Sequence, residues 1–124
     1  MIATYFKNTG EVELSGSVNE LNDLSKQLQL VSAEITLKPR IENSLSSGKY
    51  LEGIRVKHLI NHLVKISVND NFLLIEGSPE KLAVLSQNLE TDENDLKDYH
   101  IHIEYFEGHF YLSPESIPLI VQYV

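Results

Sequence analysis

The stretch YHIHIEYFEGHFYLS, which spans Tyr99–Ser113, predicts a β-hairpin with a two-residue tip at Glu107-Gly108. In that register Ile103 faces Leu112 on the opposite strand. Side chains alternate across a strand, so the hairpin has two distinct faces. One face is apolar and predicts a core surface, and it receives Ile101, Ile103, Tyr105, Phe110 and Leu112.

The opposite face of the predicted hairpin is rich in imidazole and aromatic rings. Its members are His100, His102, Glu104, Phe106, His109 and Tyr111. A solvated sheet face ordinarily carries a mixture of Lys, Glu and Thr, and a face without helices has to be polar or covered by a partner. The composition of this face therefore predicts a surface that binds another molecule.

The sequence resembles itself when it is offset by 61 residues. Gly16-Ser17 falls on Gly77-Ser78, and a stripe of leucines at helical spacing follows each pair. Ser17 or Asn19 is the expected N-cap of the first helix. Ser78 is the expected N-cap of the second, with Pro79 at its first position. The match predicts an internal duplication, with halves at about 1–60 and 61–124.

The sequence of each half predicts a ββαββ unit. Turns are expected at Lys7–Gly10 and Asn69–Asn71, and the apolar run Phe72–Ile75 predicts a central strand covered on both faces. Glu34–Ile41 predicts an edge strand because it contains Pro39. A further strand is expected at Lys49–Lys57 and another after the Pro118 region at the end of the chain, whereas residues 54–63 fit a helix or a strand.

These elements predict an α+β fold in one domain, residues 1–124. The expected architecture is a mainly antiparallel sheet with two helices packed on one face, and the imidazole-rich face would lie on the other. A chain of this length buries about two-thirds of its unfolded surface, so it needs neither a disulfide nor a metal to fold.

Composition limits the possible functions. The net charge of −8 argues against a nucleic-acid partner, because binding to a phosphate backbone requires a basic surface. The absence of cysteine excludes a thiolate metal site and a cysteine nucleophile, and it fits the reducing cytoplasm. Neither a signal peptide nor an apolar run of membrane-spanning length is visible, so no membrane association is expected.

The negative charge is concentrated in the segment Glu90–Asp98, which holds five acidic residues and one lysine. A charge run of this kind is often only a solvated loop. It also fits an acidic patch that meets a basic protein partner. Its central acidic residues, and candidate partner-binding residues, are Asp92, Glu93 and Asp95.

Catalytic and metal-binding motifs are weak in this sequence. His100 and His102, with Glu104 next on the same face, are suitable metal ligands, but exposed imidazoles that contribute hydrogen bonds and flat contact area are the favoured interpretation. His58 and His62 have the spacing of a metalloprotease helix, yet the residue after His58 is leucine rather than glutamate. We therefore expect no catalytic residues, no bound metal and no cofactor, and a binding protein rather than an enzyme.

The second half of the chain resembles small immunity proteins of bacterial polymorphic toxin systems, and within them the type numbered thirty-two. The resemblance covers about the last fifty residues and includes a strand ending in glycine, a leucine-striped helix, a His-x-His strand and an aliphatic tail. The matching positions are Gly77, Leu82, Leu85, Leu89, His100, His102, Leu112, Ser116, Leu119, Ile120 and Val121.

The resemblance implies a small cytoplasmic protein that binds and neutralises one cognate toxin domain without catalysis. A basic toxin would complement the acidic chain. Under this hypothesis the hairpin rings, Phe106 and Tyr111 among them, form the centre of the interface, and the acidic run lies at its rim. Two alternatives stay open: a homo-oligomeric binding module, with a homodimer contact on the same face, and a small metal-dependent enzyme.

Overall fold

A computed structural model describes residues 1–37, 48–91 and 98–124. The helices in these ranges are α1 Val18–Gln27 and α2 Pro79–Leu89. The strands are β1 Ile2–Phe6, β2 Glu11–Gly16, β3 Ser32–Thr36, β4 Gly48–Tyr50, β5 Gly53–His58, β6 Lys65–Asn69, β7 Phe72–Gly77, β8 His100–Ile103 and β9 Leu119–Tyr123. The predicted α+β class is confirmed.

The two predicted turns form where the sequence places them. Gly10 has a positive φ of 74°, and its N–H donates to the Phe6 carbonyl at 2.8 Å, which closes the β1–β2 turn. Asp70 and Asn71 both have positive φ values, which Asn and Asp tolerate better than other non-glycine residues and which the tight β6–β7 turn requires. Local turn chemistry therefore builds both hairpins.

Serine caps both helices, and of the two candidates for the first helix, Ser17 and Asn19, the cap is Ser17. The Ser17 hydroxyl accepts a hydrogen bond from the Glu20 N–H, and the Glu20 carboxylate accepts one from the Ser17 N–H, a reciprocal capping box. Ser78 caps α2, with Pro79 as its first residue. The leucine stripes of both helices are buried in the core, at Leu21, Leu24, Leu28, Leu82, Leu85 and Leu89.

The strands form two sheets rather than the single sheet that the sequence suggested. The five-stranded sheet has the order β4-β1-β2-β9-β8, and the four-stranded sheet has the order β3-β5-β7-β6. Most neighbours are antiparallel, but the central pairs β2–β9 and β5–β7 are parallel. Parallel neighbours need a crossover connection. Between β2 and β9 the chain passes through both helices and the strands of the other sheet, and between β5 and β7 it passes through β6.

The two sheets repeat one arrangement. In the first, the hairpin β1–β2 pairs through β2 with β9, and β9 pairs with β8; in the second, β6–β7 pairs through β7 with β5, and β5 pairs with β3. Gly16 faces Tyr123 in one parallel pair, and Gly77 faces His58 in the other. The first hairpin of each half therefore pairs with the later strands of the other half.

The helices also occupy equivalent places. They pack against each other, and Ser25 of α1 meets Ser86 of α2, its counterpart at the offset of 61 residues. The buried side chains of both halves join one hydrophobic core cluster. This symmetry agrees with the duplication that the sequence suggests, and the duplication itself stays a prediction.

Several local expectations are resolved by the strand bounds. The region at 54–63 continues as strand β5 to His58 and then becomes irregular, with Asn61 at a φ of 60°. Strand β7 is central, as predicted, but Phe72 and Leu74 are only half-buried, so one of its faces meets solvent. Strand β3 lies at a sheet edge, and the later part of the Glu34–Ile41 segment falls outside the described residues.

The chain end follows the prediction of a turn and a final strand. Residues 113–116 form a turn in which the Ser113 hydroxyl accepts from the Glu115 N–H, and strand β9 then enters the five-stranded sheet. In the part of the chain that the structure describes, neither helix has the length and apolarity that crossing a membrane demands.

Candidate partner-binding surface

Strand β8 presents His100 and His102 on the solvent side of the five-stranded sheet. Both imidazoles are exposed, and their ring centroids lie 5.3 Å apart. Ile103, which lies between His102 and Glu104 in the sequence, faces the opposite side of the sheet and is buried. The predicted exposure of the two histidines and of Glu104 is therefore confirmed.

The register shows which side chains share this solvent side. One row runs across all five strands, and it consists of Tyr50, Thr4, Glu13, Ile120 and His102. The adjacent row consists of Ile2, Ser15, Gln122 and His100. Together with Phe6 and Glu11 on the next row, these residues are called the histidine face.

The histidine face carries acid and imidazole but no cation. Among the residues that the structure describes, this face has neither a lysine nor an arginine, and no salt bridge reaches Glu11 or Glu13. In the three described ranges, Glu11 and Glu13 therefore have no ion-pair partner. Of the helices in the described residues, α1 and α2 pack on the opposite side of the sheets, where their leucines are buried, so neither covers this face.

The equivalent face of the four-stranded sheet has a different composition. The two sheets can be compared strand by strand when Gly16 of β2 is matched with Gly77 of β7. Lys65, Lys57 and Arg55 then take the places of Ile2, Gln122 and Ile120. Arg55 is paired internally, because it donates to the Glu34 carboxylate at 3.0 Å and stacks over the Phe72 ring at 3.8 Å. This is the mixed-charge, self-paired surface of an ordinary solvated sheet face.

The prediction of a β-hairpin at Tyr99–Ser113 is wrong. Strand β8 pairs with β9, and its next residues, from Glu104 onward, leave the sheet instead of returning alongside it. Leu112 forms an isolated bridge to Val64 rather than pairing with Ile103. We call Glu104–Leu112 the aromatic loop.

The predicted tip at Glu107-Gly108 does form a turn, but the turn lies within this loop and not between two paired strands. Gly108 has a φ of 87°, which favours glycine, and the His109 N–H donates to the Phe106 carbonyl at 3.0 Å. The four residues from Phe106 to His109 therefore reverse the chain without flanking strands.

Loss of the hairpin register changes which rings are exposed. Tyr111, expected on the open face, is buried at 4% exposure, and its hydroxyl oxygen accepts from the Asn88 side chain of α2 at 2.9 Å. Burial raises the pKa of Tyr111, partly offset by that hydrogen bond. Phe110, expected in the core, is 64% exposed. The expected positions of these two neighbours are both wrong.

His109 is half-buried and lies at the centre of the loop. Its Nδ1 accepts hydrogen bonds from the N–H groups of Tyr111 and Leu112, at 3.3 and 3.1 Å. Its ring centroid lies 4.6 Å from that of Phe106 and 4.5 Å from that of Tyr111. The imidazole predicted as an exposed contact residue thus also holds the loop together.

Other candidate residues are placed elsewhere or fall outside the described ranges. Asp92, Glu93 and Asp95 lie outside the described residues. His58 is half-buried, and its Nε2 lies 3.1 Å from the Leu28 carbonyl. Within residues 1–37, 48–91 and 98–124, no three His, Asp or Glu side chains converge as a metal site would require.

Sequence reasoning missed part of the surface. Glu13, Ile120 and Gln122 join the histidines only because β9 enters the sheet in parallel next to β2, a long-range pairing with no local signal. The alternation of apolar and polar residues in β2 and β9 could have identified their solvent sides, but not that these two sides are neighbours.

Comparison with known protein families gives a match in the second half of the chain. The model of a family described as Immunity protein 32 matches residues 73–124, which include α2, β8, the aromatic loop and β9. Neither the curated proteins nor the solved structures contain a match to this chain. Over those residues the chain is similar to the Immunity protein 32 family, as the sequence resemblance predicted.

Proposed function

We propose that this protein binds a cognate bacterial toxin domain and neutralises it without catalysing a reaction. The similarity to Immunity protein 32 supports a toxin-neutralising binding role. The observation that carries the proposal is the histidine face, which among the described residues has exposed imidazoles and acidic side chains but neither lysine nor arginine. The family match covers the part of this face that β8 and β9 contribute, which is His100, His102, Ile120 and Gln122.

The surface fits a basic protein partner. Glu13 and Glu104 would meet cations of the partner, while Tyr50, Ile120 and the two imidazoles of β8 offer flat contact area on the same face. Complementary charge speeds the encounter and fixes the orientation of the two proteins, and buried rings carry much of the affinity. In the proposed complex, His100, His102, Glu104 and Phe106 contact the toxin domain.

Tyr111 has a different role in this proposal from the one that the alternation suggested. Its ring is buried and fixes the aromatic loop to α2 through Asn88. We therefore expect Tyr111 to support the surface from below. Asp92, Glu93 and Asp95 remain proposed rim residues on the grounds of their charge alone.

The proposal is tested with the gene next to the one for this chain. We expect it to encode a long protein with a toxic C-terminal domain. Expression of that domain should arrest growth of a bacterial host, and co-expression of this chain should restore growth through a stable complex of the two purified proteins. Growth arrest that persists, with no complex, would contradict the proposal.

The same preparation distinguishes the two alternatives. A metal-dependent enzyme would carry stoichiometric zinc or iron after purification, measured by elemental analysis. A homo-oligomeric module would show a mass that rises with concentration in sedimentation and would have no complex with the toxin domain.

A further inference from the structure

We propose that Phe106 and Phe110 form a rigid apolar knob that inserts into an apolar pocket of the toxin domain. His109 is the positioning residue that holds the knob away from the core. This inference rests on the proposed function, because the toxin domain is the intended occupant, and it adds a specific anchor to it.

The two rings are exposed together on one loop. Phe106 and Phe110 are each 64% exposed, and their centroids lie 4.6 and 5.9 Å from the ring of His109 between them. Single exposed apolar side chains are normal on a protein surface, whereas adjacent exposed rings indicate a contact site. Buried aromatic side chains are also the residues that most often dominate binding free energy.

The loop that carries the rings is held by specific hydrogen bonds. Nδ1 of His109 accepts from two backbone N–H groups, and the turn bond from His109 to Phe106 closes the other side of the loop. The Lys81 side chain of α2 donates to the Phe110 carbonyl at 3.2 Å. A loop ordered before binding loses little conformational entropy in the complex, which favours affinity.

The base of the loop is fixed to both the helix layer and the neighbouring hairpin. Tyr111 is tied to α2 through Asn88, and its backbone carbonyl accepts from the Val64 N–H at 2.8 Å. The Ser113 N–H donates to the Val64 carbonyl at 2.7 Å. With the base immobilised, Phe110 cannot turn inward without breaking these contacts.

The charged side chains near Phe106 and Phe110 indicate what kind of pocket on the toxin domain would fit these two rings. Glu104 and Glu107 are exposed on the same loop, and the neighbouring ammonium of Lys81 is engaged by the Phe110 carbonyl, which leaves the two carboxylates as the exposed charges of the loop itself. We therefore assign the knob to an apolar pocket with a basic rim. A second copy of this chain fits less well, because docking two such loops against each other would bring Glu104 and Glu107 of both copies together.

The first experiment measures the Kd of the full chain for the purified toxin domain encoded by the adjacent gene, by calorimetry. Phe110→Ser removes one exposed ring and should weaken binding by about tenfold or more, as expected for an anchor. Ile60→Ser is the matched control, because Ile60 is 84% exposed on the β5–β6 connection, and its Kd should not change.

The outcomes separate the two claims. A wild-type chain that does not bind the toxin domain overturns the proposed function, and this inference with it. A wild-type chain that binds, together with a Phe110→Ser chain that binds equally well, overturns only the knob. A wild-type dimer that dissociates on Phe110→Ser substitution, seen by sedimentation, would assign the rings to a second copy and also overturn it.

The second experiment tests the positioning role of His109. His109→Ala should speed hydrogen exchange at the amides of Tyr111 and Leu112 and should weaken toxin binding. His109→Asn restores an acceptor near the position of Nδ1 and should recover part of both properties. Weaker binding without faster exchange would show that His109 acts only as a contact, which contradicts the assignment.

Discussion

Ser25 and Ser86 meet at the contact between α1 and α2, with 2.6 Å between their hydroxyl oxygens. Each hydroxyl also lies within hydrogen-bond distance of the other residue's carbonyl, at 3.0 and 2.8 Å. The pair is buried and joins equivalent positions of the two halves. The helix contact is therefore held by a reciprocal polar link inside an otherwise apolar core.

Removing one member of this serine pair should destabilise the fold. Ser86→Ala leaves buried polar groups of α1 short of a partner and should lower the free energy of unfolding by about 1–2 kcal/mol. Urea denaturation measures the change, with Ser67→Ala on the solvent side of β6 as the control. The double variant Ser25→Ala/Ser86→Ala should lose less than the sum of the single variants. Additive losses would contradict the coupling.

The equivalent glycines before the two helices should respond differently to alanine. A Cβ at Gly77 would lie 3.0 Å from the Cα of Val64, whereas a Cβ at Gly16 would lie 3.4 Å or more from its neighbours. Gly77→Ala should therefore destabilise the protein by about 1–3 kcal/mol through overpacking, with a much smaller effect from Gly16→Ala. Thermal and urea unfolding of both variants check this, and equal stabilities would contradict it.

The buried tyrosines predict a loss of stability in alkali. Burial raises the pKa of Tyr111 and, with Tyr99 nearby, of Tyr123, so the neutral phenols are favoured in the folded state. Their stabilising contribution is complete below the unfolded pKa of about 10, and it is lost as pH rises through the folded pKa. The free energy of unfolding should fall above that pH.

Tyr111→Phe tests this assignment. The variant loses the Asn88 hydrogen bond, which should cost about 0.5–1.5 kcal/mol at neutral pH, but it should also show a smaller decline in stability above pH 10 or so. Urea titrations at a series of pH values provide both quantities. A variant with an unchanged alkaline slope would show that Tyr111 ionises as it does in the unfolded chain.

Much of the local structure could be predicted from the sequence because its causes are local. The turn at Gly10, the serine caps at Ser17 and Ser78 and the buried leucine stripes depend on residues within a few positions of one another. The internal match at 61 residues also pointed to equivalent hairpins and helices, whose shared geometry the two sheets display.

Strand partners could not be predicted in the same way. The alternation in Tyr99–Ser113 is compatible with a hairpin, but β9 satisfies the hydrogen bonds of β8 and has its own apolar side to bury. Once the loop leaves the sheet, strand alternation no longer applies, so Phe110 and Tyr111 exchange their expected environments. The histidines stay exposed because β8 itself does form.

The measurement that tests the central claim most directly is the affinity of an Ile120→Arg chain for the toxin domain. This variant places a cation on the histidine face at the position where the other sheet tolerates Arg55, so folding should be retained. Binding should weaken by about tenfold or more, since a basic partner would meet a like charge. Ser67→Arg, on the face of the four-stranded sheet, should bind as the wild type does. Equal affinity of the Ile120→Arg and wild-type chains would contradict the assignment of the histidine face to the partner.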